Sequence, residues 1–206
     1  MSGVEHEDPD ARLMLRVQAG DDVAFAELVR RNGDRVLGLA FRYLGDRAQA
    51  EDVVQETFLK LYQARARYRP DAPFASYALR IATNVCISAL RKRRGVSLDA
   101  GGDDDDGAAD PPGPPQAAPV DRLVGDEQAS RVRDAVQQLP DRQRLAIVLN
   151  KFHGLDYQQV ADQLGLSVPA TKSLLHRARM TLKDLLQDYV QGDVAGADET
   201  RSGPAR

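Results

Sequence analysis

The sequence has a single cysteine, Cys86, and no tryptophan, and both absences limit the kind of protein it can encode. One thiol cannot build a disulfide framework, which suits a reducing compartment. Aromatic residues make up only 5% of the 206 residues, so the cores must be rich in Leu, Val and Ala. No apolar run approaches the roughly 18 residues of a membrane span, and the acidic N-terminus is no secretory signal. We therefore expect a soluble, cytoplasmic protein without membrane insertion.

Signatures of catalysis are lacking as well. The sequence has no Gly-rich phosphate loop and no Cys/His metal set. Its three histidines, His6, His153 and His176, have no evident catalytic partners. We therefore expect no enzyme activity, no metal or other cofactor and no small-molecule substrate.

Charge is strongly segregated along the chain, although the formal net charge is only −3. Residues 1–95 and residues 131–190 each carry a net charge of +3, whereas residues 96–130 carry −8. Two mildly basic modules are therefore joined by an acidic segment. The average charge would conceal a role in nucleic-acid binding.

The acidic segment contains GGDDDDGAADPPGPPQAAP, residues 101–119. Its prolines and consecutive aspartates can neither continue a helix nor bury enough apolar surface to fold. We predict a flexible, disordered linker over residues 96–127. The similar composition from Gly192 onward predicts a disordered tail over residues 191–206.

Apolar residues recur at helical spacings throughout the first module. They do so over residues 10–31, with a break at Gly20-Asp21, and again over residues 35–45, 48–68 and 73–95. No segment of the chain shows the sustained alternation of a β-strand. The fold class is therefore all-α, with two small helical domains at residues 10–95 and 128–190.

The second module contains a helix-turn-helix pattern. A helix is predicted from Leu139-Pro140 to roughly Phe152. Asp156 is then a good N-cap, with Gln159 at the third helical position completing a capping box. Gly165 can end this helix in the left-handed conformation, and Ser167 can cap the next one. Pro169 then falls in the first turn of that last helix, where its missing N–H has no intrahelical acceptor to lose.

The last helix presents short polar side chains and cations in the pattern of a DNA-recognition helix. A generic amphipathic helix with a solvated basic face is the alternative, but the spacing of Ala161, Gly165 and Ser167 favours DNA binding. The candidate residues for contacting DNA are Ser167, Ala170, Thr171, Lys172, Ser173, His176, Arg177 and Arg179.

Two long stretches carry a family resemblance. AGDDVAFAELVRRNGDRVLGLAFRYLGDRAQAEDVVQETFLKLYQ, with RYRPDAPFASYALRIATNVCISALRKRRG after it, resembles region 2 of the extracytoplasmic-function RNA polymerase sigma factors, a group of the sigma-70 family. LPDRQRLAIVLNKFHGLDYQQVADQLGLSVPATKSLLHRARMTLKDLL resembles their region 4. The resemblance covers about residues 10–95 and 128–188, and it implies a subunit that binds core RNA polymerase and directs promoter-specific initiation.

The resemblance also assigns roles to residues. The AEDVVQETF helix docks in this family on a coiled coil of the polymerase β′ subunit, which points to Glu51, Asp52, Gln55 and Glu56. An ordinary solvated helix face is the alternative for these four residues. A basic loop and the helix after it capture a base flipped from the promoter's minus-ten element, and a small pocket with nearby arginines suits that chemistry. The residues concerned are Arg67, Arg69, Phe74, Arg80, Asn84, Ser88, Arg91 and Arg93.

Several positions depart from the family pattern. Tyr77 stands where Trp is usual, Ser88 where Asp is common, and Leu174 where Arg is frequent. These departures argue against transferring a consensus minus-thirty-five sequence from the family. The linker runs in the family towards the RNA exit path, so Asp103 to Asp106 either mimic nucleic-acid phosphates or belong to a plain tether.

The resemblance implies four partners: the β′ and β subunits of core RNA polymerase, promoter DNA and an anti-sigma factor. The second domain would read the minus-thirty-five element while the first opens the minus-ten region. The competing hypothesis is a stand-alone helix-turn-helix regulator that binds operator DNA by itself. That hypothesis predicts a ligand pocket, receiver domain or dimerisation helix in the first half of the chain, and the sequence shows none of these.

Overall fold

The computed structural model describes residues 8–95 and 126–198, and all regular structure in those residues is helical. The first compact unit contains α1 (Pro9–Gln18), α2 (Asp22–Leu44), α3 (Arg47–Ala64), a 3₁₀ turn (Arg65–Arg67) and α4 (Phe74–Arg93). The second contains α5 (Asp126–Gln137), α6 (Asp141–Ile147), a π-helical turn (Val148–Phe152), α7 (Tyr157–Leu164) and α8 (Val168–Asp198). The predicted all-α class is confirmed. Among these helices, none combines the length and apolarity needed to cross a membrane.

The second helix is longer than the apolar pattern predicts. The break at Gly20-Asp21 is present, with Asp21 capping α2 through a hydrogen bond from the Ala24 N–H. The expected separation between residues 10–31 and 35–45 is wrong, because α2 continues through Gly33. The neighbouring Asn32 is buried, and its side-chain amide donates to Asp10 Oδ2 at 3.0 Å. These contacts and the packing of α2 offset the roughly 1 kcal/mol that Gly costs inside a helix.

The core of the first unit is made of apolar residues at helical spacings. Because α2 packs against α1, α3 and α4, it is the central helix. Each buried Leu, Val, Met or Phe side chain contributes roughly 1.5–3 kcal/mol through removal from water. The sides of α3 and α4 that face away from α2 carry exposed residues. The largest fully buried side chains of this unit are Met14, Val17, Leu28, Val36, Leu39, Val53, Leu61 and Phe74.

The second unit begins with a helix that the sequence pattern did not reveal. The predicted domain opens a helix only at Leu139-Pro140, whereas α5 already spans Asp126–Gln137. A buried arginine joins the two. Arg144, 3% exposed, donates from one guanidinium nitrogen to the carbonyls of Gln137 at 2.7 Å and Leu139 at 2.9 Å. Carbonyls at a helix C-terminus lack intrahelical partners, so Arg144 fixes the turn between α5 and α6.

Two boundaries of the second unit differ from the predicted ones. The predicted linker, residues 96–127, lies outside the described residues except for its last two positions, which begin α5. The predicted tail starts at residue 191, whereas α8 continues to Asp198 and only residues 199–206 lie outside the described part. Extending an existing helix adds one hydrogen bond per residue fixed, so a weak helix former can follow a strong segment.

Candidate nucleic-acid interface

A strip of acidic and amide side chains lies on the solvent side of α3. Glu51, Asp52 and Gln55 are exposed and Glu56 is half-buried, whereas Val53 between them belongs to the core. The four residues predicted to bind polymerase therefore lie on consecutive turns of one helix. The structure places them together on an accessible surface, which we call the α3 strip.

Two carboxylates of the α3 strip are paired within their own helix. Arg47 Nε lies 2.8 Å from Glu51 Oε1, and Lys60 Nζ lies 3.1 Å from Glu56 Oε1. Exposed pairs of this kind contribute only about 0.3–0.5 kcal/mol, so cations of a partner can replace them at little cost. Asp52 makes no ion pair within the described residues and is a free anion on this surface.

Leu59 lies beside the α3 strip, and its exposure is not what the apolar pattern predicts. Leu59 falls within the apolar pattern of residues 48–68, yet it is 55% exposed. It borders an open groove of about 490 Å³ between α2 and α3, and Gln55 joins this groove to the α3 strip. The groove is lined by Asp22, Phe25, Gln55, Phe58, Leu59 and Tyr62.

The loop between α3 and α4 carries exposed arginines over an aromatic base. Arg65 is held in place, because its guanidinium lies 4.0 Å from the centre of the Tyr62 ring and donates to the Tyr62 carbonyl at 2.7 Å. Arg67 and Arg69 are exposed, and neither makes an ion pair within the described residues. Two cations of this loop are therefore available to phosphates.

Phe74 is not accessible for contact with DNA. It is the first residue of α4 and is fully buried, so its assignment as a minus-ten contact is wrong for direct contact in this structure. Its ring packs edge-to-face on Tyr68 with centroids 6.1 Å apart, and Tyr77 lies beside both. The aromatic side chain prefers the core because it leaves no polar group unpaired there. Phe74 thus supports the loop between α3 and α4 through its contact with Tyr68.

The outer face of α4 carries the rest of the predicted minus-ten residues. Arg80, Asn84 and Arg91 are exposed and Ser88 is half-buried, and their three- and four-residue spacings place these four predicted residues in a stripe along one side of α4. Arg93 is also exposed, and it donates to the Leu44 carbonyl at 3.4 Å. The stripe combines cations with an amide that can both donate to and accept from a base edge.

The turn of the helix-turn-helix follows the predicted chemistry. Asp156 Oδ1 accepts from the Gln159 N–H at 2.8 Å, and the Gln159 side chain accepts from the Asp156 N–H at 3.0 Å. Gly165 ends α7 with a φ of 65°, a conformation that side chains with a Cβ rarely adopt. Ser167 Oγ then accepts from the Ala170 N–H at 3.3 Å, and Pro169 is the second residue of α8.

The recognition helix presents six of the eight predicted residues directly to solvent. Thr171 is fully buried, so its assignment as a DNA contact is wrong; it shares the inner face of α8 with Leu174, Leu175 and Ala178. Helical geometry explains this, because residues three, four and seven positions apart lie on one face. Arg179 is half-buried. The exposed residues are Ser167, Ala170, Lys172, Ser173, His176 and Arg177.

A tyrosine that the sequence pattern did not single out holds Arg179 in place. Arg179 donates to the hydroxyl oxygen of Tyr157, the first residue of α7, at 3.1 Å. This hydrogen bond lowers the pKa of the Tyr157 phenol below its usual value, and the positive charge of Arg179 acts in the same direction. Tyr157 is itself exposed, so the pair presents one hydroxyl and one cation beside the recognition helix. Only the packing of α7 on α8 brings the two residues together.

No metal centre accompanies these surfaces within residues 8–95 and 126–198, where no cluster of three or more His, Cys, Asp or Glu side chains could hold an ion.

Both units of the chain match known protein families. Residues 28–96 match the model of sigma-70 region 2, and residues 129–182 match that of sigma-70, region 4.

Two curated relatives are RNA polymerase sigma factors. The chain is 34% identical over 188 residues to the RNA polymerase sigma-H factor of Pseudomonas aeruginosa, covering 90% of this chain and 97% of the relative. It is 34% identical over 190 residues to the ECF RNA polymerase sigma factor SigE of Mycolicibacterium smegmatis, covering 90% and 72%. Among solved structures, the sigma factor RpoE in complex with the anti-sigma factor NepR from Bartonella quintana matches with a TM-score of 0.59 and 26% identity, over 79% of this chain and 96% of that one.

Proposed function

Because the chain belongs to the extracytoplasmic-function RNA polymerase sigma factors of the sigma-70 family, we propose a role for each of its polar surfaces in promoter-specific initiation. The observation that carries the proposal is the division of surface chemistry in the first unit. An acidic and amide strip lies on α3, and a cationic and amide stripe lies on α4. Two surfaces of opposite chemistry suit two partners, a basic protein surface and DNA.

The α3 strip binds core RNA polymerase, through the β′ subunit. Asp52 offers an unpaired carboxylate, and Glu51 and Glu56 exchange their weak intrahelical partners for cations of the polymerase. Leu59 and the groove beside it supply apolar area at the edge of the strip. The chain acts as a binding subunit without a catalytic role of its own, and it works in the cytoplasm, where the polymerase does.

The loop from Arg65 to Pro73 and the outer face of α4 bind the minus-ten element. Arg67, Arg69 and Arg91 hold backbone phosphates, and Asn84 hydrogen-bonds an unstacked base. Extruding a base costs a few kcal/mol, which the contacts made only by the opened strand repay. Binding therefore favours strand opening.

The second unit reads the minus-thirty-five element in the major groove. The N-terminal turn of α8 presents Ser167, Ala170 and Ser173 to base edges, while Lys172 and Arg177 bind phosphates. The Tyr157–Arg179 pair adds a further phosphate contact from the side of α7. Thr171 takes no part in direct readout, because it is buried.

An anti-sigma factor is the third class of partner. The solved structure of RpoE holds a sigma factor in complex with the anti-sigma factor NepR, and this chain is similar to that sigma factor over most of its length. A protein that covers the α3 strip or the α4 stripe would prevent binding of polymerase or DNA. We assign this chain such a partner, with the two exposed faces of the first unit as its targets.

Run-off transcription with purified core RNA polymerase tests the function directly. The template is the chain's own promoter, and the reaction is run with and without the protein. We expect specific transcripts only when both proteins are present. Tight operator binding by the chain alone, together with no rescue of initiation, would overturn the proposal in favour of a stand-alone regulator.

A further inference from the structure

The first helix of the chain holds the promoter-binding loop at both of its ends. The loop, residues 65–73, carries the exposed Arg67 and Arg69 and connects α3 to α4. The residue that precedes α1 and the last residue of α1 each make a hydrogen bond to this part of the chain, 48 to 66 residues away in sequence. No local sequence signal explains such contacts.

Asp8 caps two helices with one carboxylate. Its Oδ1 accepts from the Asp10 N–H at 2.9 Å and thereby caps α1. Its Oδ2 accepts from the Phe74 N–H at 2.6 Å. Phe74 begins α4, and the residue at the N-cap of that helix, Pro73, has no side-chain group that could cap it. Asp8 thus supplies the capping contact that the α4 sequence lacks, at the point where the loop ends.

Gln18 holds the start of the same loop. Its side-chain amide donates to the carbonyl of Ala66 at 3.0 Å, in the centre of the 3₁₀ turn. Between Gln18 and Asp8, the side chains of Ala11, Met14 and Val17 anchor α1 in the core. A helix fixed in the core therefore bonds to the loop at residue 66 and at residue 74.

Tyr68 is the buried residue of the loop. Tyr68 is 4% exposed, and its hydroxyl has no hydrogen-bond partner in the described part of the chain. Burial, with a smaller contribution from the negative charge of Asp8, raises the pKa of this phenol to about 12. Tyr68 lies between the exposed Arg67 and Arg69 in the chain, and its ring packs on Phe74 and Tyr77.

We propose that α1 is a brace for promoter opening, in which Asp8 and Gln18 are positioning residues that hold the loop from residue 65 to residue 73 in its DNA-binding conformation. This inference rests on the proposed function of the loop, and it adds a requirement that lies outside the DNA-contacting surface. In this proposal Asp8 and Gln18 act through their hydrogen bonds to residues 66 and 74, and not as contacts to DNA or polymerase. Each acts by reducing the conformational freedom that the loop would lose on capturing the opened strand.

Three variants of the full chain test the brace. Asp8→Ala removes both acceptors, Asp8→Asn leaves one acceptor oxygen, and Gln18→Ala removes the donor to Ala66. The matched control is Asp46→Ala, since Asp46 also caps a helix, α3, through the Gln49 N–H at 2.9 Å but has no bond to the loop. Each variant is assembled with core RNA polymerase on the chain's own promoter. Open complexes are counted by permanganate reactivity of unpaired thymines, and affinity for core polymerase is measured separately.

We expect Asp8→Ala to lower the fraction of open complexes about five- to tenfold, the scale of one lost cap, while affinity for core polymerase stays within about twofold. Asp8→Asn falls between wild type and Asp8→Ala, and Gln18→Ala gives a smaller loss of the same kind. Asp46→Ala, at a similar loss of thermal stability, leaves the fraction of open complexes per bound polymerase unchanged. Hydrogen exchange in the free protein accelerates at Phe74 in Asp8→Ala and over residues 66–69 in Gln18→Ala, and at neither place in Asp46→Ala.

Two failures are distinguishable. Wild-type protein that opens no promoter with core polymerase would overturn the proposed function and the brace together. Wild-type opening that Asp8→Ala and Gln18→Ala leave intact would overturn the brace alone. The brace is also wrong if Asp46→Ala reduces opening as much as Asp8→Ala, because the effect would then follow stability and not the loop.

Discussion

At the scale of single residues, Cys86 shows how burial controls a titratable group. The thiol is fully buried on the inner side of α4, and burial raises its pKa to about 12 from a usual value of 9.0. Above pH 9 the unfolded chain loses this proton and the folded chain keeps it. The free energy of unfolding therefore falls as the pH rises towards 12, by at most about 1.4 kcal/mol per pH unit from this group.

Urea denaturation at pH 8, 9 and 10 measures that slope. Tyr68 contributes with the same sign, because its pKa is raised as well. The difference between wild type and Cys86→Ala isolates the thiol, and we expect the variant to lose less stability over this range. Equal slopes for the two proteins would contradict the prediction.

A substitution at Thr171 distinguishes a core role of this residue from a role in DNA contact. Its hydroxyl is buried and has no hydrogen-bond partner within the described residues. Thr171→Val replaces that hydroxyl with a methyl of similar size and should raise the free energy of unfolding by about 1 kcal/mol. Promoter affinity of the holoenzyme should stay unchanged, whereas Lys172→Ala should reduce it. A loss of affinity in Thr171→Val equal to that of Lys172→Ala would return Thr171 to the DNA contacts.

At the scale of helices and turns, the features that the sequence predicts are those with local causes. The capping box of Asp156 and Gln159 and the Ser167 cap each depend on residues three positions apart. The turn of the helix-turn-helix and its two caps were therefore predictable. The exposed stripe of Arg80, Asn84 and Arg91 was predictable too, since one helical period determines it.

Features with distant causes were not predictable from the chain. The apolar pattern separates residues 10–31 from residues 35–45, whereas α2 continues through Gly33 and its Asn32 bonds to Asp10 on another helix. Phe74 reads as part of a DNA-binding loop, but its ring packs on Tyr68 and Tyr77 in the folded unit. The roles assigned to exposed residues remain predictions, because exposure alone does not identify what binds them.

Two glycines give opposite expectations for the same substitution. Gly33 lies inside α2, and a Cβ placed there meets nothing within 4 Å. Gly33→Ala should therefore stabilise the first unit by about 0.4–1 kcal/mol. Gly165 has a φ of 65° at the end of α7, so Gly165→Ala should destabilise the second unit by about 1 kcal/mol. Thermal unfolding of the two variants checks the signs, and a Gly33→Ala variant that lowers the midpoint would show that α2 is strained there.

At the scale of the whole molecule, positive charge lies in the two helical modules and negative charge in the segment between them. Each helical module carries a net charge of only +3, so the chain alone has little electrostatic affinity for DNA. Core polymerase would supply the remaining affinity and hold both modules on the same promoter. Sequence-specific and non-specific contributions to promoter affinity then come from different side chains. The two can be told apart because only the phosphate contacts depend strongly on the salt concentration.

The last prediction therefore concerns the salt dependence of promoter binding by the holoenzyme. Each phosphate contact that is lost should reduce the slope of log K against log salt by about 0.7–0.9. Arg91→Gln and Arg177→Gln should each do so, equally on matched and mismatched promoters, because phosphates carry no sequence information. Asn84→Ala should leave the slope unchanged and reduce the preference for the matched minus-ten element, by about 1–3 kcal/mol. Gln63→Ala, an exposed amide on α3, is the control for all three. A reduced slope in Asn84→Ala, or a change of sequence preference in Arg91→Gln, would show that the two side chains have been assigned each other's role.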